Sequence, residues 1–352
     1  MPRTPFMAKR ATESDRDSIV QLASIVWGSN EAATHEYFQW HCCQDHTGRS
    51  ITHIVKDHSN HVISYHTLLP VPAVLNGKRI LTGFSILTGT HPDYRRQGLN
   101  TLVTSSIYEE AKELGINPVF VLPNSMSSDM FAEKFGFSSL GRPKLLVRWL
   151  DPGVFLGRRG FPRVGRSLSA VTKIASRIRS GYREQTVKPR ILENLDGLRV
   201  DKIWEPIGFC IAADSDWLRW RYKEHPTRRY EIALIGEVES PQALVVYQVM
   251  ELYKQALVME FFVARGTRLQ AVQALMDSVA EKCKAAGCSG LWCLGTPNSR
   301  KSAFLKKSDF WGVPFNSVWR PDILFVKKSR LLPFDFSVST VDFSYGTLIN
   351  FL

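Results

Sequence analysis

Apolar positions along the chain follow two periods, and each change of period marks a new element. Residues 6–11 read as a short strand. Over 13–27 the apolar positions Ile19, Leu22, Ile25 and Val26 recur at helical spacing, with Thr12 or Ser14 as caps. A second short helix is predicted over His35 to Cys43. Three strand-like runs follow, 51–57, 61–75 and 80–90, and Asn76-Gly77 predicts a hairpin turn between the last two. Beyond the polar loop 91–98, Leu99, Leu102, Val103, Ile107, Ala111 and Leu114 form one helical stripe that Gly115 stops. Residues 118–123 read as a buried strand, and 126–135 as a helix closed by Gly136. This order predicts an α/β chain of the α+β type, with a mixed-sheet domain ending near residue 150.

A similar order recurs further along. The segment Asp216-Trp217-Leu218-Arg219-Trp220-Arg221-Tyr222 resembles Glu36-Tyr37-Phe38-Gln39-Trp40-His41-Cys42, and Pro297-Asn298-Ser299 repeats Pro123-Asn124-Ser125. Each Pro-Asn-Ser follows a strand-like run, opens a helix and leads to an aromatic-glycine turn. Two anchors in the same order and at similar spacing imply a duplicated fold. We therefore divide the chain into 1–151, 152–192 and 193–352, two mixed-sheet domains in tandem joined by a linker.

Charge changes the picture only in the linker. The 352 residues carry 45 Lys+Arg and 33 Asp+Glu, a formal net charge of +12. Residues 1–151 hold 15 basic and 14 acidic residues and 193–352 hold 20 and 18, whereas 152–192 hold 10 basic residues and the single acid Glu184. In that segment Val164, Leu168, Val171, Ile174, Ala175 and Ile178 share one helical face, with Arg166, Lys173 and Arg177 opposite. Two readings stand: a connector packing its stripe on a domain, or a helix over 164–180 lying on an anionic membrane. Nucleic acid is excluded as a partner, because the basic residues lack interleaved aromatics and the flanking domains are near neutral. Twenty Phe, nine Trp and ten Tyr exclude disorder as the main state. The first residues lack a secretory apolar core, no run is long enough to span a bilayer, and no Cys or His spacing suits a metal. The expectation is a cytoplasmic protein with reduced thiols and no metal, peripheral at the inner membrane face if the linker helix docks there.

The segment that carries chemistry is Gly89-Thr90-His91-Pro92-Asp93-Tyr94-Arg95-Arg96-Gln97-Gly98-Leu99-Asn100, running from a strand into a helix. A glycine loop opening a helix aims several backbone N–H groups, and the positive end of the helix dipole, at one spot. Arg95 and Arg96 add full charges, which makes a pyrophosphate cradle. It is neither a Walker A loop nor a dinucleotide fingerprint.

Arg95-x-x-Gly98-x-Asn100 resembles the acetyl-CoA loop of the GNAT acyltransferase superfamily, as does the preceding His-Pro-Asp-Tyr-Arg. Asn124, Ser128 and the ending Phe131-Ala-Glu-Lys-Phe-Gly-Phe137 resemble that family's later motif. Glu36 to Trp40, Leu69-Pro70-Val71-Pro72, Gly141-Arg-Pro and Trp220 to Pro226 are similar to bacterial two-domain members linked to polysaccharide biosynthesis. The resemblance implies an acyl-CoA-dependent N-acyltransferase, with acetyl-CoA or another acyl-CoA as co-substrate. A primary amine of a small molecule or saccharide precursor would attack the thioester directly. It implies cofactor contacts from Gly89, Thr90, Arg95, Arg96, Gln97, Gly98, Leu99, Asn100, Asn124, Ser128 and Phe131, with the oxyanion donor near Gly89 or Thr90.

Two departures stand out. Asn100 occupies a position where Gly or Ala is usual, and the later helix offers Phe131, Ala132 and Phe135 where the family often has an acid Tyr. His66 is the candidate base, with His91 second, and Ser128 the candidate acid. The alternative readings are that His66 is a satisfied core histidine and Ser128 a cap. The corresponding segment 264–271 lacks the spaced glycine, so one CoA site is expected. A non-catalytic CoA-binding or membrane-peripheral module remains the alternative function.

Overall fold

The computed structural model describes residues 6–28, 30–43, 50–123, 129–141, 144–170, 188–203, 208–295, 300–312, 324–327 and 341–342. Its architecture is mixed α/β, with two sheets and helices on their outer faces.

The first sheet begins with β1 (Ala8–Arg10), followed by α1 (Arg16–Trp27) and α2 (His35–Phe38), which runs on as a wide turn to Cys43. Strands β2 (Ile51–Lys56), β3 (Val62–Leu75) and β4 (Lys78–Thr90) form an antiparallel meander. Asn76 and Gly77, at φ +48° and +79°, make the tight β3–β4 turn. Helix α3 (Leu99–Glu113) crosses back, and Gly115 at φ +70° ends it. It leads to β5 (Val119–Val121), parallel to β4, then to a single helical turn over Met130–Lys134 and β6 (Ser138–Gly141).

The next strand, β7 (Lys144–Trp149), leaves this sheet for the other one. It is followed by a helical pair, α4 (Pro152–Arg158) and α5 (162–170). The sequence pattern shows α5 but not α4, whose signals are Asp151 accepting from the N–H groups of Gly153 and Val154, and Pro152 in the first turn. A Cβ on Gly165 would lie 2.5 Å from the Gly153 carbonyl oxygen, so the two helices meet at backbone contact. Val171, Ile174, Ala175 and Ile178 lie outside the described residues.

Strands β8 (Arg190–Ile191), β9 (Phe209–Ile211), β10 (Glu231–Gly236), β11 (Pro241–Met250) and β12 (Gln255–Val263) follow. Helix α6 (Ser215–Leu218) lies between β9 and β10. Then come α7 (Leu269–Ala285), β13 (Gly290–Gly295), α8 (Arg300–Lys307), β14 (Trp311–Gly312), β15 (Leu324–Lys327) and β16 (Val341–Asp342).

Seven strands of the first sheet match the seven of the second in order, and the first also carries β9 beside β3 and β16 beside β9. The first runs β1-β2-β3-β4-β5-β15-β6 and the second β8-β10-β11-β12-β13-β7-β14. In each, one long bulged strand (β4, β12) pairs in parallel with a short one (β5, β13). In each, the strand between the short one and the edge comes from the other half: β15 lies between β5 and β6, and β7 between β13 and β14. Neither sheet is therefore a contiguous stretch of chain, which a linear pattern of apolar residues cannot reveal.

The largest core lies between the sheets. It joins Tyr37, Trp40, Phe84 and Phe120 to Trp217, Trp220, Leu244 and Phe262. Helix α3 covers the outer face of the first sheet and α7 that of the second. At the centre the rings of Trp40 and Trp220 stack at 5.0 Å. Each indole N–H donates to the other's backbone carbonyl, at 2.9 and 3.1 Å. The two tryptophans thus anchor each other reciprocally across the two halves. Beside them the Arg221 guanidinium is buried 5.0 Å over the Trp40 ring.

Candidate functional site

The site forms where β4 outruns β5. The two strands pair from Gly83–Val119 to Ser85–Val121; there β5 ends, while β4 continues to Thr90. The register against β3 shifts between Tyr65–Gly89 and Thr67–Ile86, so Leu87 and Thr88 form a bulge opposite His66. Leu87 is held at φ +41°. Past the end of β5 the kinked stretch of β4 has no strand partner on that side among the described residues, and Leu87 and Thr88 are partly exposed there. Sequence reading placed the backbone donor near Gly89 or Thr90. In the structure these two lie back in the ladder with Tyr65 and Ser64. A Cβ on Gly89 would lie 2.7 Å from the Tyr65 ring, so this glycine serves ring packing. No residue type in Leu87-Thr88 signals the bulge; it follows from strand pairing.

The loop beyond β4 makes a tight turn over Pro92–Tyr94, with the ring nitrogen Nδ1 of His91 accepting from the Asp93 N–H at 3.3 Å. Arg96 (φ +62°) and Gly98 (φ +79°) are both left-handed, and Gly98 caps α3. A Cβ on Gly98 would meet nothing within 4 Å, so the space before the helix start is open. Arg95, Arg96 and Gln97 are exposed, and among the described residues neither arginine is paired with a carboxylate. Leu99 instead faces inward, packed with Val55, Ile63 and Val103. The residues present fit a diphosphate: consecutive N–H groups at a helix start, two free cations and room in front.

Asn100 does not reach toward that space. Its Oδ1 accepts from the Thr88 hydroxyl at 3.0 Å and from the Thr104 hydroxyl at 3.3 Å, and its amide lies 3.7 Å from the Met130 sulfur. The network continues inward. His66 Nδ1 is 2.9 Å from the Thr104 hydroxyl, His66 Nε2 is 2.7 Å from Ser85, and the Tyr108 hydroxyl donates to Ser85 at 3.0 Å. Because Thr104 donates to Asn100, it accepts from His66, which fixes the neutral Nδ1–H tautomer. Burial, with a smaller contribution from His53, pushes the His66 pKa down to about 3. A fully buried imidazole with both nitrogens engaged cannot collect a proton from a substrate. The geometry gives His66 a structural place instead, holding β3, β4 and α3 together.

Phe131, expected at the cofactor, is buried with Tyr108, Phe135 and Phe137 beneath the helical turn. Asn124 and Ser128 lie outside the described residues. A pocket of about 450 Å³ opens at the end of α1, lined by Ser24, Gly28, Asn30, Glu31, Ala33 and Thr34. Next to it Trp27 donates to the Tyr65 hydroxyl at 3.1 Å, and Tyr65 covers Gly89. Glu31 in its wall is hydrogen-bonded to Arg228 and Thr227 of the second half.

The corresponding corner of the second half is different. β12 is bulged at Met259 between the Val246–Glu260 and Tyr247–Val258 pairs, but α7 is capped by Arg268 in an extended conformation. No glycine stands at the helix start, so a side chain begins where Gly98 leaves room.

Residues 7–140 match the family model described as an acetyltransferase (GNAT) domain. No curated protein matches the chain. Among solved structures it is similar to a conserved protein of unknown function from Enterococcus faecalis V583, a probable N-acyltransferase. The TM-score is 0.64 and the identity 9%, over 93% of this chain and 74% of that one. It is also similar to a GCN5-related N-acetyltransferase from Anabaena variabilis, with TM-score 0.62 and 10% identity over 92% and 73% of the two chains. A third is a GCN5-related N-acetyltransferase from Kribbella flavida, with TM-score 0.61 and 13% identity over 92% and 71%. The fold is that of the GNAT acyltransferases.

Proposed function

We propose that the protein is an acyl-CoA-dependent N-acyltransferase that binds one acyl-CoA in the first half, its second half being a diverged tandem copy without a CoA site. The observation that carries this is the helix start at Gly98. It is left-handed, open in front and flanked by two unpaired arginines, and it lies one loop beyond the bulge in β4. Acetyl-CoA supplies an activated acyl group as a thioester. Arg95, Arg96 and the N–H groups at the start of α3 hold the diphosphate. The kinked backbone at Leu87-Thr88 is suited to donate to the developing oxyanion. Asn100 fixes that kink through Thr88. The acceptor is an amine of a small molecule or saccharide precursor, and the pocket beside Glu31 offers it a way in.

With His66 neutral and enclosed, the amine gives up its proton to water, and the rate follows the amine's own ionisation. The test is release of CoA thiol from acetyl-CoA with a panel of nucleotide amino sugars and other primary amines. Turnover that falls on Arg95→Ala supports the proposal; turnover indifferent to it contradicts the site.

A second reading, a CoA-binding module without turnover, is favoured by one feature. The turn over Met130–Lys134 holds no tyrosine, and Tyr108 beneath it donates to Ser85. Turnover with any amine excludes that reading.

A further inference from the structure

Exposed large apolar side chains are concentrated rather than scattered. Of the ten among the described residues, six (Trp149, Phe161, Val164, Leu252, Tyr253 and Trp311) belong to one connected region around β7, α4 and α5. Trp311 pairs beside Val147 on β7, and the Trp149 ring packs on Phe155 of α4 at 5.1 Å. Arg158 at the end of α4 donates to the Leu252 carbonyl at 2.8 Å, which brings the β11–β12 turn against the helical pair. The pair itself is held by the Gly153–Gly165 contact and by Ser169 donating to Asp151 at 2.6 Å. Phe161 and Val164 at its tip are 58% and 57% exposed, and Leu252 is 76% exposed.

Around these apolar tips stand Arg158, Arg159, Arg163 and Arg166, and no acidic residue occurs between Asp151 and Glu184; the adjoining turn brings one exposed acid, Glu251, and the exposed Lys254. Among the described residues Arg159, Arg163 and Arg166 have no carboxylate partner, and Arg159 lies 5.1 Å over the Phe155 ring. Apolar tips beside arginines that no carboxylate neutralises match the boundary of an anionic bilayer. There the tips reach the acyl region and the guanidinium groups meet lipid phosphates. A second copy of the chain would bring the same positive face against itself. Nucleic acid would find near-neutral halves on either side, at 15 basic to 14 acidic residues and 20 to 18.

We propose that the tip of the α4–α5 pair and the 251–253 turn together form a docking surface for an anionic lipid bilayer. The surface consists of this tip and this turn, not of the whole 164–180 helix that the sequence suggests, and it is independent of the acyltransferase activity.

The test is flotation of the full chain with vesicles of phosphatidylcholine alone and of phosphatidylcholine with phosphatidylglycerol. The expected result is flotation with the anionic vesicles only, lost as salt is raised. Each surface arginine contributes about fivefold in binding. R159E/R163E/R166E should therefore bind at least roughly a hundredfold more weakly. L252S/Y253S should weaken binding without shifting the melting temperature, because both side chains are exposed. Failure of the wild type to float, equal flotation with neutral vesicles, or equal binding by the triple variant overturns the proposal. So does a concentration-dependent dimer, seen by light scattering, that these substitutions dissolve while no variant floats.

Discussion

Gly98 is the residue on which the site turns, because glycine takes its left-handed backbone without strain and leaves the space before it open. Gly98→Ala is expected to cost about 1–2 kcal/mol of stability through its forced conformation. Asn100 makes a different kind of contribution. Removing its amide in Asn100→Ala leaves the Thr88 and Thr104 hydroxyls without their shared acceptor, a loss of about 1–3 kcal/mol. If Asn100 fixes the bulge, kcat should fall by far more than CoA affinity. Equal changes in both, read from steady-state kinetics beside direct binding, would refute that role.

The buried histidines set the pH response. His66 is held near a pKa of about 3 and His225 near about 2, in both cases chiefly by burial. The folded protein keeps both neutral, while the unfolded chain takes up protons below about pH 6.5. Stability therefore falls as pH drops below that point, by up to about 1.4 kcal/mol per pH unit for each histidine. Denaturant midpoints at neutral pH and near pH 5 should show the fall, and His66→Asn should remove one proton's share of it. A midpoint independent of pH would contradict the burial argument. At this scale the helix start at Gly98 beside two arginines was legible in the sequence, since helix-start geometry is local. It missed Leu87 and Thr88 because a bulge is defined by the partner strand.

At the level of elements, the reciprocal strand exchange ties the two halves into one folding unit. β15 completes the first sheet and β7 the second. A fragment of residues 1–143 lacks β15 between β5 and β6, and also lacks the second half's share of the central core. It should therefore show neither cooperative unfolding nor dispersed amide signals; a stably folded fragment would mean that the exchange is dispensable. The Trp40–Trp220 pair closes the same junction, and Trp220→Ala should cost about 3–5 kcal/mol, with Trp40→Ala similar. Most elements of the first half were legible from apolar periodicity, from 16–27 through the hairpin at Asn76-Gly77 to 99–113. The exchange was not, because strands β7 and β15 look alike in sequence whichever sheet receives them. The matching Trp motifs hinted that the halves correspond, but not that they touch.

For the whole molecule, the basic excess separates from the chemistry. The excess lies in residues 152–192, four of whose arginines stand on or beside α4 and α5, whereas the proposed cradle uses Arg95 and Arg96. Two similarly ordered sheets share one core, yet only α3 begins at a left-handed glycine; α7 begins at Arg268 with a side chain in place. On the proposed function the asymmetry predicts one acyl-CoA per chain, and calorimetric titration of acetyl-CoA into the full chain measures this directly. The expected result is a single site per chain that disappears in Gly98→Trp, while the substituted protein keeps its cooperative melt. No binding by the wild type, two sites per chain, or unchanged binding by Gly98→Trp would contradict it.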